Sequence, residues 1–423
     1  MEIYIVQVGD TIYSIADRYG VSVDRLLIDN GLENPNQLVV GQTIVIAYPK
    51  QTHIVQQGDS LQSIADTYHV TVFQLLRNNP FLSDREFIYP GELLVISYNT
   101  YGNITTTGFA YPFIIRQTLI KTLPSLTYLS IFNYRVQQDG EIYTYADDTE
   151  IINAAKEYGV VPMLLLSVLT LQGEPDTNTA YAILLNEELQ GKVIDSFVDI
   201  MKSKGYSGIN IVFNLINESN QSLFLNYVIR ISERLKLENL LFFITINFEG
   251  SGTKSNLDYS QFSRYTDKMI FLQFTWGTNY DPPGPVSNIN NIKALINQVI
   301  STVPPEEIIV GKPTIGYDWP LPYVPNRTSA ASLSISSTLQ LAYETNSTIL
   351  FDEDSQTPYF TYIQTNIGFP TSHIVWFIDA RSINVLLDYI KEVGLYGSGI
   401  WNIMNYYPQL WLLINSQFDV IKI

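Results

Sequence analysis

The chain contains no cysteine, which excludes disulfides and thiolate metal sites. Histidine is nearly absent too. His53, His69 and His373 are the whole supply, which argues against a multi-histidine metal site or a Ser-His-Asp triad. Charged residues make up 15% of the chain, against roughly 25% in an average protein. Basic residues are the scarcer kind, 24 against 41 acidic, for a net charge of −17. That balance disfavours nucleic acid and anionic membrane surfaces, and neither is expected as a partner, since both require basic patches. No apolar run reaches the roughly 18 residues of a membrane span. The opening Met1-Glu2-Ile3-Tyr4 has neither the basic nor the apolar region of a secretory signal peptide, so synthesis in the cytoplasm is expected. No cofactor and no metal is implied.

With 423 residues, 46% of them hydrophobic, the chain is long enough for more than one domain and a large core. Its 29 tyrosines, with few charges, imply a surface rich in Asn, Gln, Ser, Thr and Tyr. Such a surface suits sugars, and also close packing between molecules.

Residues 1–98 contain a repeat. Val6-Gln7-Val8-Gly9-Asp10-Thr11-Ile12 matches Val55-Gln56-Gln57-Gly58-Asp59-Ser60-Leu61 at an offset of 49. Ser14-Ile15-Ala16-Asp17 matches Ser63-Ile64-Ala65-Asp66, and later Val40–Ile46 matches Pro90–Ile96 at an offset of 50. Each copy reads as strand, helix, helix, strand. Asp10 and Thr11 supply an N-cap pair, Ile12, Ile15, Ala16 and Tyr19 an apolar face, and Asn30-Gly31 a stop.

These motifs resemble LysM modules, placed at 1–49 and 50–99. The resemblance implies binding of N-acetylglucosamine-containing glycan, such as peptidoglycan or chitin. The implied groove lies between the loop after the first strand and the loop before the second. It carries over to Gly9, Asp10, Thr11, Ile12, Asn30, Gly31 and Leu32. In the second copy it carries over to Gly58, Asp59, Ser60, Leu61, Asn79, Pro80 and Phe81. The plainer reading makes Asp10 and Asp59 helix caps, and Ile12 and Leu61 core.

From 106 to 423, eight short apolar runs alternate with helix-compatible stretches: 126–132, 161–168, 208–214, 240–248, 269–276, 308–317, 373–379 and 399–404. Most are apolar on both faces, as buried parallel strands are. The expected fold is α/β: a (β/α)8 TIM barrel preceded by two small βααβ modules. An insertion is expected at about 322–371, with helix at 328–343 and a hairpin at 348–363.

Several passages make this region similar to glycoside hydrolase family 18, in the branch that joins LysM modules to spore cortex-lytic N-acetylglucosaminidases. They are Ser-Ile-Phe-Asn-Tyr at 130–134, the strand at 205–214, Pro-Pro-Gly-Pro at 282–285, Gly-Tyr-Asp-Trp-Pro-Leu-Pro-Tyr at 316–323, Val-Trp-Phe at 375–377 with Asp-Ala-Arg-Ser at 379–382, and Gly-Ile-Trp at 399–401. The resemblance implies substrate-assisted hydrolysis, with a Glu acid at the end of one strand and an Asp two residues before it. Here those two positions hold Asn214 and Val212. The earlier positions of the motif hold Ser207 and Asn210, and a later strand has Phe274 and Thr275 where Tyr and Asp are usual. An amide cannot give up a proton near neutral pH, so general acid catalysis worth roughly 10²–10⁴-fold is lost. Glu218 and Glu249 are the substitutes within sequence reach. The implied sugar-binding surface is Tyr317, Asp318, Trp319, Trp276 and Trp401.

Three functions follow. One is a spore-associated protein that binds peptidoglycan or a related glycan through an inactive barrel. A second is an N-acetylglucosaminidase with a displaced acid. A third is a self-assembling scaffold of a spore coat, fibre or inclusion, with copies of itself or coat proteins as partners.

Overall fold

A computed structural model describes residues 1–83, 85, 87–168, 175–248, 256–273, 280–365 and 369–423. The first module pairs Glu2–Ile5 with Thr43–Ile46 as an antiparallel ribbon and covers it with helices Ile12–Tyr19 and Val23–Asn30. The second repeats this with Gln51–Ile54, Leu61–Tyr68, Val72–Asn78 and Leu93–Ser97. Ile12, Ile15, Leu26 and Ile44 fill the first core, and Ile64, Leu75, Leu94 and Ile96 the second. The N-caps are Thr11 and Ser60, each in a reciprocal capping box with the Ser three residues on. Asp10 is not part of the cap, contrary to the expected pair. Its carboxylate instead accepts from Gln7 N at 2.8 Å, and Asp59 does the same from Gln56 N at 2.7 Å.

Eight parallel strands close into a barrel: β1 (Asn103–Ala110), β2 (Tyr128–Val136), β3 (Val161–Ser167), β4 (Gly208–Phe213), β5 (Leu241–Asn247), β6 (Lys268–Leu272), β7 (Ile308–Pro313) and β8 (Gly397–Trp401). β8 pairs back onto β1, with Gly399 opposite Thr107, which completes the ring. Strand β1 starts before the boundary of 106 expected from the sequence and was not among the apolar runs. Its three threonines are buried: Thr105 Oγ1 donates to Tyr396 O and Thr106 Oγ1 to Ser125 O, while Thr107 Oγ1 has no hydrogen-bond partner among the described residues.

The run at 373–379 is not a barrel strand. Thr371–Trp376 pairs antiparallel with Gly316–Leu321 on one side and Thr357–Gln364 on the other. These strands, with Ala331–Leu333 and Leu350–Asp352, form a separate five-stranded sheet between β7 and β8. Helix Ile335–Glu344 accompanies it, overlapping the C-terminal part of the helix the sequence predicts at 328–343.

The modules are not loosely tethered. Arg25 reaches from the first to the second, with its guanidinium 2.9 Å from Asn78 O and 2.8 Å from its own module's Asp29. Helix Pro408–Gln417 of the barrel packs against both. Gln409 Nε2 donates to Asn30 Oδ1 at 2.9 Å, and Asn415 Nδ2 to Arg77 O at 3.2 Å. The turn at Gly41 presses on the inserted sheet, where Ile349 N donates to Val40 O at 2.9 Å.

Candidate active site and glycan surfaces

Side chains alternate along a strand, so β4 directs Asn210, Val212 and, just past its end, Asn214 to one face. Phe213 points the other way, its ring 4.9 Å from Phe224 on helix Gln221–Lys236. Asn210 lies deep in the barrel, and both its side-chain polar atoms have partners. Its Nδ2 donates to Ser130 Oγ at 3.1 Å, and its Oδ1 accepts from Thr245 Oγ1 at 2.8 Å. One layer higher, Val212 is buried in an apolar cluster with Phe109, Phe132, Leu165, Phe243 and Leu272. Trp401 packs against this cluster from the mouth, its ring 5.2 Å from Phe109.

None of the eight barrel strands contains an Asp or a Glu. The only lysines in them are Lys268 and Lys312. Lys312 turns outward and donates to Ser382 O, and burial pushes its ammonium down to about 7. The centre of the barrel is therefore built from amides, hydroxyls and hydrocarbon.

Ser207 precedes β4, at the opposite end of the strand from Asn214, where its backbone joins Pro162 and Leu241. Glu218 is exposed in the loop beyond Asn214, accepting from Asn256 Nδ2 at 3.3 Å. Phe274, Thr275, Trp276 and Glu249 lie outside the described residues.

Of the expected sugar-binding set, Asp318 and Trp319 are engaged inside the inserted sheet. Asp318 bonds His373 Nδ1 at 2.9 Å and accepts from Tyr362 Oη at 2.7 Å. Trp319 is 5% exposed and its Nε1 donates to Asp281 O. The polar atoms of both side chains are thus taken up by partners within the protein. Tyr317 and Trp401 keep part of their surface open. Asp379, at the end of the misassigned run, caps helix Ala380–Val393 by accepting from Arg381 N and Ser382 N.

The module loops divide similarly. Gly9, Thr11, Gly31, Gly58 and Ser60 are exposed, and Leu32, Leu61, Pro80 and Phe81 are partly so. Ile12 is wholly buried, which leaves no side-chain surface for sugar. Asn30 and Asn79 are also buried, and each bridges its helix to the following strand. Asn30 bonds Leu26 O, Val45 N and Val45 O, while Asn79 bonds Leu75 O, Val95 N and Val95 O. These three side chains hold the loops that flank the groove.

The loop after Asn30 also lines a groove of about 490 Å³ between the first module and helix Ile335–Glu344. Leu32, Asn34 and Gln37 face Ser337, Gln340 and Tyr343 across it. No single segment of sequence contains both walls, which is why sequence reading missed it.

Residues 98–405 match the profile of glycosyl hydrolases family 18, and residues 4–47 and 53–97 each match the LysM domain. The chain belongs to glycosyl hydrolases family 18. Across its whole length it is 31% identical, over 435 residues, to the cortical fragment-lytic enzyme of Bacillus subtilis, covering 100% of this chain and 99% of that protein. The solved spore cortex-lytic enzyme SleL of Bacillus megaterium superposes with a TM-score of 0.80 at 28% identity, covering 99% of this chain and 98% of that one. A chitinase from Chromobacterium violaceum shares the fold alone, with a TM-score of 0.64 at 17% identity over 74% of this chain and 98% of that one. The TIM barrel and the paired N-terminal modules expected from sequence are thus the architecture of this family member.

Proposed function

We propose that the chain is a spore-associated protein that engages peptidoglycan or a closely related N-acetylglucosamine glycan. Its two LysM modules anchor it, and its barrel holds the glycan without cutting it by the family's ordinary mechanism. The observation that carries the second half is the set of eight barrel strands without a carboxylate, with Val212 and Asn214 at the two chemical positions. Proton donation to a leaving oxygen needs a group that ionises near the working pH, and neither side chain does. Val212 also has no dipole to orient an acetamide. The spore setting and the glycan are supported by the full-length likeness to relatives named as cortex-lytic.

Fixed docking of the modules on the barrel suits this function. Two modules and a barrel in one rigid arrangement present several contacts to one strand, and linked contacts raise effective concentration. Co-sedimentation of the full chain with insoluble peptidoglycan tests this half. The protein is expected in the pellet, released by soluble chitin oligosaccharide and not retained on cellulose. A protein that stays in the supernatant sinks the proposal.

A second reading is hydrolysis with a displaced acid. The comparisons favour it over the binding-only reading, because the relatives matching end to end are named as lytic enzymes. Glu218 and Glu249 are the carboxylates this reading needs. It requires turnover that disappears on Glu218→Gln or Glu249→Gln.

A further inference from the structure

We propose that the barrel rim carries an aromatic track ending at Arg135, and that Arg135 selects glycans bearing a carboxylate. This rests on the glycan-binding reading above. The track starts at Trp401 and Phe109 in the mouth. Just beyond β1, Tyr111 packs on Phe132 with ring centroids 4.9 Å apart, and on Phe113 at 5.2 Å with the rings nearly parallel. Phe132 then stacks on Tyr145 at 6.4 Å, and Tyr145 meets Tyr143 edge-on at 5.4 Å. The outer members are open to solvent: Phe113 is 67% exposed, Tyr143 46% and Tyr145 41%.

The backbone explains why these rings line up. β2 runs past the barrel mouth and turns into a hairpin with Ile142–Thr144. A register shift falls between Phe132 and Tyr134, so Asn133 leaves the regular ladder. Its side chain clamps Ala146 by two bonds, accepting from Ala146 N at 3.0 Å and donating to Ala146 O at 2.8 Å. Tyr145 N adds a third bond, to Asn133 O at 3.1 Å. The returning strand is thereby held with Tyr145 against Phe132.

Arg135 closes the track, its guanidinium 5.6 Å from the centre of the Tyr143 ring. Its Nε is buried without a hydrogen-bond partner, and among the described residues no carboxylate pairs with it. Glu141 at the hairpin tip is held instead by Lys192 at 2.6 Å. Sugar rings stack on aromatic faces. A guanidinium stacked on an aromatic keeps a fork that matches a carboxylate. Peptidoglycan displays carboxylates on its peptides and on any lactyl group that carries no peptide, whereas chitin displays none. A cation at the end of a stacking track therefore distinguishes the two polymers without any acid–base chemistry.

Residues 1–99 contain no tryptophan, so in a full chain carrying Trp411→Phe, which removes the tryptophan packed against the modules, quenching of intrinsic tryptophan fluorescence reports binding at the barrel. Three probes are titrated: a chitin oligosaccharide, a soluble peptidoglycan fragment of equal length, and that fragment with its carboxylates methyl-esterified. Arg135→Gln is expected to weaken binding of the peptidoglycan fragment about five- to tenfold, a hydrogen-bonded ion pair discounted for partial exposure. The chitin oligosaccharide is expected to bind both proteins alike, and esterification to abolish the wild-type preference. Arg135→Lys, which keeps the charge and loses the fork, should fall between. Tyr145→Ala should weaken all three probes. Equal wild-type affinity for the fragment and its ester overturns the inference, as does an Arg135→Gln variant that loses chitin and peptidoglycan equally. If modules sediment with peptidoglycan but no probe quenches, the track is overturned while module anchoring stands.

Discussion

The internal repeat supplies its own control for the docking of the first module. Gly41 and Gly91 occupy equivalent turns with nearly the same backbone, φ +86° and +94°. A Cβ at Gly91 would meet nothing within 4 Å, whereas one at Gly41 would sit 2.0 Å from Ile349 O. Alanine at either site carries the left-handed penalty of roughly 1–2 kcal/mol. At Gly41 the methyl must also push the inserted sheet away. That breaks the bond from Ile349 N to Val40 O and uncovers Ile349, which is 4% exposed. A hydrogen bond of about 1 kcal/mol and part of the roughly 1.5–3 kcal/mol of a buried Ile add about 2–4 kcal/mol. Gly41→Ala should therefore lower the urea midpoint well beyond Gly91→Ala, and open the first module to limited proteolysis. Equal midpoints and equal protease resistance would refute the rigid docking of the modules.

Other tests follow from buried charge. Burial pushes Lys312 from 10.5 down to about 7, so the folded chain releases this proton before the unfolded chain does. Stability should then rise as pH climbs from 7 towards 10.5, by on the order of 5 kcal/mol over the full span. Lys312→Met should remove about half the observed rise in denaturation midpoints, since burial also holds Lys422 at about 7. An unchanged slope would mean Lys312 does not titrate there. Arg25→Leu strips the partner from Asp29, which is 6% exposed, and removes the link to Asn78. Leaving a buried charge alone costs about 3–5 kcal/mol, and Asp29→Leu added to it should recover much of that loss in thermal unfolding. Failure of that rescue would assign the cost to lost packing.

Much of the fold was legible because it rests on periodicity. The repeat at an offset of 49 gave both modules, and seven of the apolar runs gave real barrel strands. The count of eight came out through two offsetting errors. Strand β1 reads Asn-Ile-Thr-Thr-Thr-Gly-Phe-Ala, too polar to stand out, and it can be buried because Thr105 and Thr106 bond to backbone carbonyls from neighbouring segments. The run at 373–379 is apolar enough for a barrel, but pairing direction depends on strands far away in sequence. At the site, the spacing of Asn210, Val212 and Asn214 fixed their common face. What sequence could not show was which polar groups were already taken. Asp318 has partners in His373 and Tyr362, and Asn30 in Val45 and Gln409, both reached by chain reversals. The aromatic track was hidden for the same reason, since Tyr111, Phe132 and Tyr145 meet only after β1 and β2 pair.

The central claim is that this barrel holds glycan without cutting it. Release of new reducing ends from soluble cortex-type peptidoglycan fragments by the purified full chain tests it most directly. The account predicts no release above a protein-free control between pH 5 and 8, under conditions where tryptophan quenching shows the barrel occupied. Sustained release, abolished by Glu218→Gln or Glu249→Gln, would contradict it and establish a displaced acid.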